Sequence, residues 1–339
     1  MADFIQVRGF EEAVRPPVRP VRARLTDPPG RETLSRPDMA PRARLDRIAR
    51  RVPEVMVKIT GRTRDGGHLQ NHLAYIGRSG KLALEGPDGE RLQSRAEVLG
   101  LVSDWMAEVA ADPRRRGDSA VSLSIVLSMP PGTDAFRMHD ASRAFARQTF
   151  GDSHPYVFAF HTDERHPHVH LTVRTLGYDG HKLNPRKADL ERWRQSFAAA
   201  LRDRGVEAEA TPRRTRGVVR KAEQGVLRRI RSRFGRGQGD PPKVDVAAAR
   251  EALDNARDEP WTDASRARQA GVRRYFTAQA VALTRSDRDE DVKLGKALSA
   301  FVKAMPPVRT RSHEMSAQID LHWQRENRSK RLAERSRQL

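Results

Sequence analysis

The stretch Tyr156 to Val173, YVFAFHTDERHPHVHLTV, alternates in both of its halves. Tyr156, Phe158 and Phe160 face one way while Val157, Ala159 and His161 face the other. In the second half Val169, Leu171 and Val173 take the apolar side, which sends His168, His170 and Thr172 to the opposite one. If the six residues Thr162 to Pro167 turn the chain back as an antiparallel hairpin, the apolar faces coincide and His161, His168 and His170 share the other face. Neutral imidazole is the commonest metal-binding side chain, and two His at i and i+2 of a strand project in parallel, leaving coordination positions open for substrate and water. The trio therefore reads as a catalytic metal site rather than a structural one. A bare His-x-His is more often a solvated strand face, but four His within ten residues raise the weight of a site. Asp163, on the turn, is expected to fix a His tautomer from outside the ligand set, ahead of a role as proton acceptor in catalysis. His166, just before Pro167, reads as an exposed turn residue.

The elements on either side follow from periodicity. VMVKIT alternates as a strand from Val55, and HLQNHLAYIGR places Leu69, Leu73 and Ile76 on one helical stripe with Gly77 as a stop. KLALEGPDGE reads as a short strand closed by a Pro-Asp-Gly turn. Ser94 with Glu97 makes a capping box ahead of the stripe Val98, Leu101, Val102, Trp105 and Val109. Val121 to Ser128 alternates as a half-buried strand, PPGTD turns into a helix from about Ala135 to Phe150, and a further amphipathic helix runs from Ala188 to Arg202.

At 339 residues the chain is long enough for about two domains. Lys and Arg number 64 against 44 Asp and Glu, a formal charge of +20, which predicts a polyanionic partner. No cysteine is present, so disulfides, Cys-ligated zinc, iron-sulfur clusters and thiol nucleophiles are excluded, and any metal must sit on His and carboxylates. No apolar run reaches transmembrane length, and the opening residues lack a signal-peptide pattern; the expectation is a protein without membrane insertion, made and kept in the cytoplasm. Residues 1–51, with seven Pro and twelve Arg, read as a disordered basic arm. The main folded domain is expected over 52–218, a basic linker over 219–244, a small helical domain over 245–304 with Thr262 as N-cap and Leu294, Leu298 and Phe301 as its apolar row, and a basic tail over 305–339.

Tyr occurs four times, so each can be weighed. At about 100° per residue Tyr75 lies about 120° from the Leu69, Leu73, Ile76 stripe, on the side of His68 and His72 with Arg78 one turn on. A tyrosine hydroxyl, with a usual pKa near ~10, is a poor nucleophile until a base or nearby cations activate it; its ester to phosphate conserves the bond for resealing. The competing reading of Tyr75 is an amphipathic surface residue. Tyr156 suits the core, Tyr178 a Tyr-Asp-Gly turn, and Tyr275 the helical domain.

The order LAYIGRSGKL, SMPPGTD, HTDERHPHVH, EATPRRTRGV resembles the nuclease domain of conjugative relaxases, in the mobilisation class that includes the T-DNA border endonuclease. The signature His-x-Asp-x-x-x-Pro-His-x-His is met at each fixed position by His161, Asp163, Pro167, His168 and His170, and the resemblance covers roughly residues 54 to 218. It implies an α+β fold, an antiparallel sheet with helices packed on one face, of the His-hydrophobe-His (HUH) endonuclease type. It further implies Tyr75 as the nucleophile that nicks one strand at an origin of transfer, leaving a 5′-phosphotyrosyl link, and His161, His168 and His170 as ligands of a divalent metal, Mg²⁺ or Mn²⁺. An all-imidazole set is softer than Mg²⁺ prefers, so Mn²⁺ or Zn²⁺ is expected to bind more tightly in vitro. Lys58, Arg62, Arg64, Arg78 and Lys81, with Arg213, Arg214 and Arg216, are candidates for neutralising phosphates of single-stranded and origin-of-transfer DNA, although a solvated surface charge is the commoner role of any one of them. The resemblance also implies a coupling protein, type IV secretion machinery and accessory mobilisation proteins as partners, with passage to a recipient cell on the bound DNA. His72 lies outside the signature; a role in deprotonating Tyr75 is a local hypothesis. The rival readings are a three-His metal-dependent hydrolase acting through a metal-bound water, a non-catalytic DNA-transfer accessory protein, and a replication initiator sharing the same chemistry.

Overall fold

The computed structural model describes residues 7, 41–218, 223, 225–253 and 260–337. The chain divides into two compact units, and the break falls between Thr211 and Pro212, inside the 52–218 span expected for the nuclease domain.

The first unit is built on a six-stranded sheet in the order β1-β4-β6-β5-β2-β3, antiparallel throughout. Its strands are β1 (Met56–Thr63), β2 (Leu84–Glu85), β3 (Arg91–Leu92), β4 (Ser122–Ser128), β5 (Tyr156–His161) and β6 (His168–Arg174). The helices are α1 (Pro41–Ala49), α2 (Gly66–Ile76), α3 (Arg95–Ala111), α4 (Ala135–Phe150) and α5 (Lys187–Arg202). β1 runs past the expected VMVKIT into GRT because a bulge between Ile59 and Gly61 lets it keep pairing with β4 as far as Thr63↔Ser122. KLALEGPDGE resolves into the β2–β3 hairpin.

One sheet face carries Leu123, Ile125 and Leu127 of β4, Tyr156 and Phe158 of β5, and Val169, Leu171 and Val173 of β6. Against it pack Met138, Phe145 and Phe150 of α4 and Trp193, Phe197 and Leu201 of α5. Each such side chain, removed from water, contributes about 1.5 to 3 kcal/mol. The other face is not bare. Leu69, Leu73 and Ile76 of α2 and Val102, Trp105 and Val109 of α3 cluster with Val121, Val157 and Ala159. The expected fold class holds, and the placement of helices on one face is corrected: α2 and α3 cover part of the second, because that face carries small apolar residues beside its polar ones. Ser94 and Glu97 form the expected capping box at the start of α3, and Gly77 ends α2, its N–H donating to the Leu73 carbonyl.

Within the stretch 1–51 read as a disordered arm, residues 41–49 instead form α1, with Leu45 and Ile48 buried; of residues 1–40 only Val7 is described. A short apolar pair suffices there because Arg47 donates from Nε to Oε2 of the buried Glu209 at 2.8 Å, so the carboxylate inside is paired.

The second unit is helical: α6 (Gly225–Gly235), α7 (Lys243–Leu253), α8 (Pro260–Thr284), α9 (Asp289–Lys303) and α10 (Arg311–Arg337). Leu294, Leu298 and Phe301 are buried as expected, beside Phe276, Ala280 and Leu283 of α8. Thr262 lies inside α8, which begins at Pro260, and is not its N-cap. Helix also occupies part of the expected linker, as α6, and of the expected tail, as α10.

Candidate active site

The β5–β6 register pairs His161 with His168 directly and places His170 across from Ala159, so all three imidazoles stand on the face opposite the main core. One nitrogen from each lies within 4.8 Å of the others. The ring centroids of His161 are 5.0 Å from those of His168 and 4.7 Å from those of His170.

Hydrogen bonds fix the tautomers of two of them. A carbonyl can only accept, so His161 Nε2, 2.7 Å from the Ile76 oxygen, carries its hydrogen and leaves Nδ1 as the acceptor, where it receives a hydrogen bond from Arg78 Nη2 at 3.3 Å that a bound cation would replace. His168 Nδ1 donates in the same way to the His166 carbonyl at 3.0 Å, leaving its Nε2 lone pair. Burial holds His170 down at about 4, with the neighbouring imidazoles His161 and His168 adding to the shift, and burial also lowers His161. The shifts of His161 and His170 favour their neutral rings, and three converging imidazole nitrogens suit a divalent cation. Among the described residues this is the one such cluster of potential ligands, and His166 stands outside it, exposed, with Nδ1 3.4 Å from the Met129 carbonyl.

Tyr75 comes to this face on α2. Its side chain is 62% exposed, and its ring stands edge-on to that of His170 with centroids 6.3 Å apart. The helix is seated by its apolar stripe and by His72, whose Nε2 lies 3.0 Å from both Ser124 Oγ on β4 and Thr172 Oγ1 on β6. Burial lowers the pKa of His72, so it sits there as the neutral ring. Both hydroxyl contacts are to the sheet, which makes His72 an anchor for α2.

Beyond Tyr75 the backbone turns through Arg78 (φ 52°), Ser79 (φ 54°) and Gly80 (φ 90°), three consecutive left-handed residues of which two carry side chains. This turn aims the Arg78 guanidinium back over the site. Arg78 donates from Nη2 to Asp163 Oδ2 at 2.6 Å, lies 3.3 Å from His161 Nδ1, and has its guanidinium carbon 5.9 Å from the Tyr75 ring centroid. Asp163 is 4.0 Å from His161 Nδ1, too far to set its tautomer; the Ile76 carbonyl does that, and the carboxylate holds Arg78 instead. An open cavity of about 570 Å³ adjoins these groups, lined by Tyr75, Arg78, Lys81, Phe160, Thr162 and Asp163 among others.

Of the remaining candidate cations, Lys58, Arg62 and Arg64 are exposed along and just beyond β1, and Lys81 is exposed after the turn. Arg213, Arg214 and Arg216 lie on a 3-10 turn of the second unit, described apart from the cluster. Sequence reasoning missed Ser124, Thr172, Phe160 and Thr162. Phe160 and Thr162 flank His161 and could have been found from that; the pairing of Ser124 with His72 spans 52 residues and leaves no local signal.

Residues 93–206 match the family model described as Relaxase, MobA/VirD2-like, nuclease domain. The matched segment contains the three His and Asp163 and stops short of Tyr75. Among characterised proteins, the T-DNA border endonuclease VirD2 of Rhizobium radiobacter is 28% identical over 187 residues, 49% of this chain and 43% of its own. The protein of the same name from Agrobacterium fabrum (strain C58 / ATCC 33970) is 26% identical over 185 residues, 49% of this chain and 41% of its own. The chain thus spans less than half the length of these relatives. A solved chain from work described as "Molecular Basis of Vancomycin Resistance Transfer in Staphylococcus aureus" aligns with 47% of this chain and 98% of its own, at 13% identity and a TM-score of 0.33.

Proposed function

We propose that the chain is a site- and strand-specific DNA relaxase that nicks at an origin of transfer by metal-assisted transesterification. The observation that carries the reading is an exposed tyrosine ring set against a cluster of three imidazoles. In this reading the Tyr75 hydroxyl attacks one phosphodiester in line with its 3′-oxygen. The bond from phosphorus to Tyr75 forms as the bond to the 3′-oxygen breaks. The phenol proton is lost to solvent, the 3′-oxygen takes one up, and the products are a 5′-phosphotyrosyl link and a free 3′-hydroxyl. One ester replaces another, so no nucleotide energy source is needed. His161, His168 and His170 would hold a divalent cation, Mg²⁺ or Mn²⁺, which supplies positive charge against the scissile phosphate. Arg78, kept in place by Asp163, opposes the charge that gathers on the phosphate oxygens as the attack proceeds. Lys58, Arg62, Arg64 and Lys81, with Arg213, Arg214 and Arg216 of the second unit, contact other phosphates of the single strand in a salt-dependent manner.

The same reading has the protein acting in the bacterial cytoplasm and passing with its DNA into a recipient cell, with a coupling protein, type IV secretion machinery and accessory mobilisation proteins as partners. Its domain is the 52–218 span, with the N-terminal arm, the linker and the C-terminal residues as attachments.

The test is to incubate the full chain and Tyr75→Phe with Mn²⁺ and labelled single-stranded oligonucleotides from its own gene neighbourhood, then resolve adducts on denaturing gels. An adduct lost in Tyr75→Phe and with EDTA supports the reading. An adduct that survives Tyr75→Phe moves the nucleophile elsewhere. Hydrolysed ends without an adduct point to a three-His metal-dependent hydrolase, and binding without cleavage to a non-catalytic DNA-transfer accessory protein.

A further inference from the structure

Helix α6 has a two-sided sequence, GVLRRIRSRFG. At about 100° per residue, Val226, Leu227, Ile230 and Phe234 share an arc about 100° wide. Arg228, Arg229, Arg231 and Arg233, with Arg236 just beyond, occupy the rest, and no acid occurs between 225 and 236. An arc of this kind normally faces a core. Here none of the helix's side chains is buried: Val226 is 59% exposed and Phe234 48%.

The helix is nevertheless fixed in place. Arg231 donates from Nε to Asp245 Oδ2 at 2.6 Å and also pairs with Glu223, so one arginine ties α6 to α7. Val244 and Val246, on either side of Asp245 on α7, are each 45% exposed as well. The ion pairs of α6 among the described residues are those of Arg231, which leaves Arg228, Arg229 and Arg233 for an outside anion.

From this arrangement we infer that α6 lies along an anionic phospholipid surface, its apolar arc dipped to the level of the upper acyl chains and its arginines at the phosphates. Several arginines beside an apolar row, exposed at Val226 and Phe234 and half-buried at Leu227 and Ile230, complement a layer that is anionic above and apolar below. Single-stranded DNA would match the charge and one ring, Phe234, but Val226, Leu227 and Ile230, the rest of the arc, offer no π face on which a base could stack. No described helix is long and apolar enough to cross a membrane, so the contact runs along the surface. This role goes beyond the proposed nicking reaction and does not depend on it.

The test is co-sedimentation of the full chain with vesicles of phosphatidylethanolamine alone or with one third phosphatidylglycerol. The variants are Val226→Ser/Phe234→Ser, which keeps the charge, and Arg228→Gln/Arg229→Gln/Arg233→Gln. Wild type is expected to pellet with the anionic vesicles alone, and each variant to lose about tenfold in apparent affinity while melting as wild type does. Anionic vesicles binding Val226→Ser/Phe234→Ser as well as wild type would reduce the attraction to net charge and overturn the inference. So would a gel shift in which that variant loses single-stranded oligonucleotide binding with vesicle binding intact, which gives the face to nucleic acid. Phe234→Trp provides a readout independent of those variants: quenching by brominated anionic lipid is expected, and none would sink the idea.

Discussion

The imidazole of His72 bridges two strands at once, its Nε2 3.0 Å from Ser124 Oγ and 3.0 Å from Thr172 Oγ1. That ring, with the buried stripe Leu69, Leu73 and Ile76, settles where α2, and with it Tyr75, meets the sheet. Replacing His72 with Ala leaves two hydroxyls without their partner and is expected to cost about 1 to 3 kcal/mol, read as a lowered midpoint in urea. Because both contacts are to the sheet, His72→Gln should leave the pH profile of nicking between pH 6 and 9 unchanged; a profile displaced by this change would make His72 a base after all.

The three imidazoles predict a graded response to ligand removal. His161→Ala, His168→Ala or His170→Ala should each weaken Mn²⁺ binding about a hundredfold or more by calorimetry, with nicking lost in parallel and wild-type activity restored by Mn²⁺ after EDTA. His166→Ala, outside the cluster, should bind as wild type does.

Arg78 and Asp163 should behave as a pair. Asp163→Asn releases the guanidinium but lies 4.0 Å from His161 Nδ1, so Mn²⁺ affinity is expected to change by less than about threefold while single-turnover nicking falls about tenfold or more. Arg78→Lys keeps the charge without the fork and should resemble Asp163→Asn. Equal losses of metal binding and nicking in Asp163→Asn would return that carboxylate to the metal.

The hairpin that carries the three His was readable because period-two alternation in two adjacent halves admits one pairing, and the observed register of His161 with His168 is that pairing. The exposure of Tyr75 followed from its angle to the helix stripe in the same way. The backbone at Arg78 and Ser79 was not readable, since neither residue type signals a left-handed conformation. Helix α1 was hidden because composition averages over a whole stretch, whereas Leu45, Ile48 and the Arg47 pair to Glu209 act locally. The role of Asp163 was misjudged for a related reason: its partner Arg78 is 85 residues away in sequence.

A further expectation concerns acid. The Asp112 carboxylate follows α3, accepts from the Arg114 backbone N–H at 3.0 Å and forms an ion pair with Lys182 Nζ at 3.2 Å. The Arg114 backbone hydrogen bond, more than any other contact, holds it near about 2 against an ordinary 3.8. A value depressed by folding adds stability that is complete above the ordinary value and is lost as pH falls through about 2. Asp112→Asn should therefore melt below wild type at neutral pH, the gap closing as pH drops from 4 toward 2; a gap independent of pH would put the loss down to packing.

The three imidazoles belong to one hairpin of neighbouring residues, while Tyr75 arrives on a helix seated by Leu69, Leu73 and Ile76 as well as by His72. The two parts are tied together, since the last residue of that helix, Ile76, offers its carbonyl to His161 Nε2. Loosening the helix would therefore also unsettle one ring of the trio, so the tyrosine and the imidazoles would decay together rather than one by one.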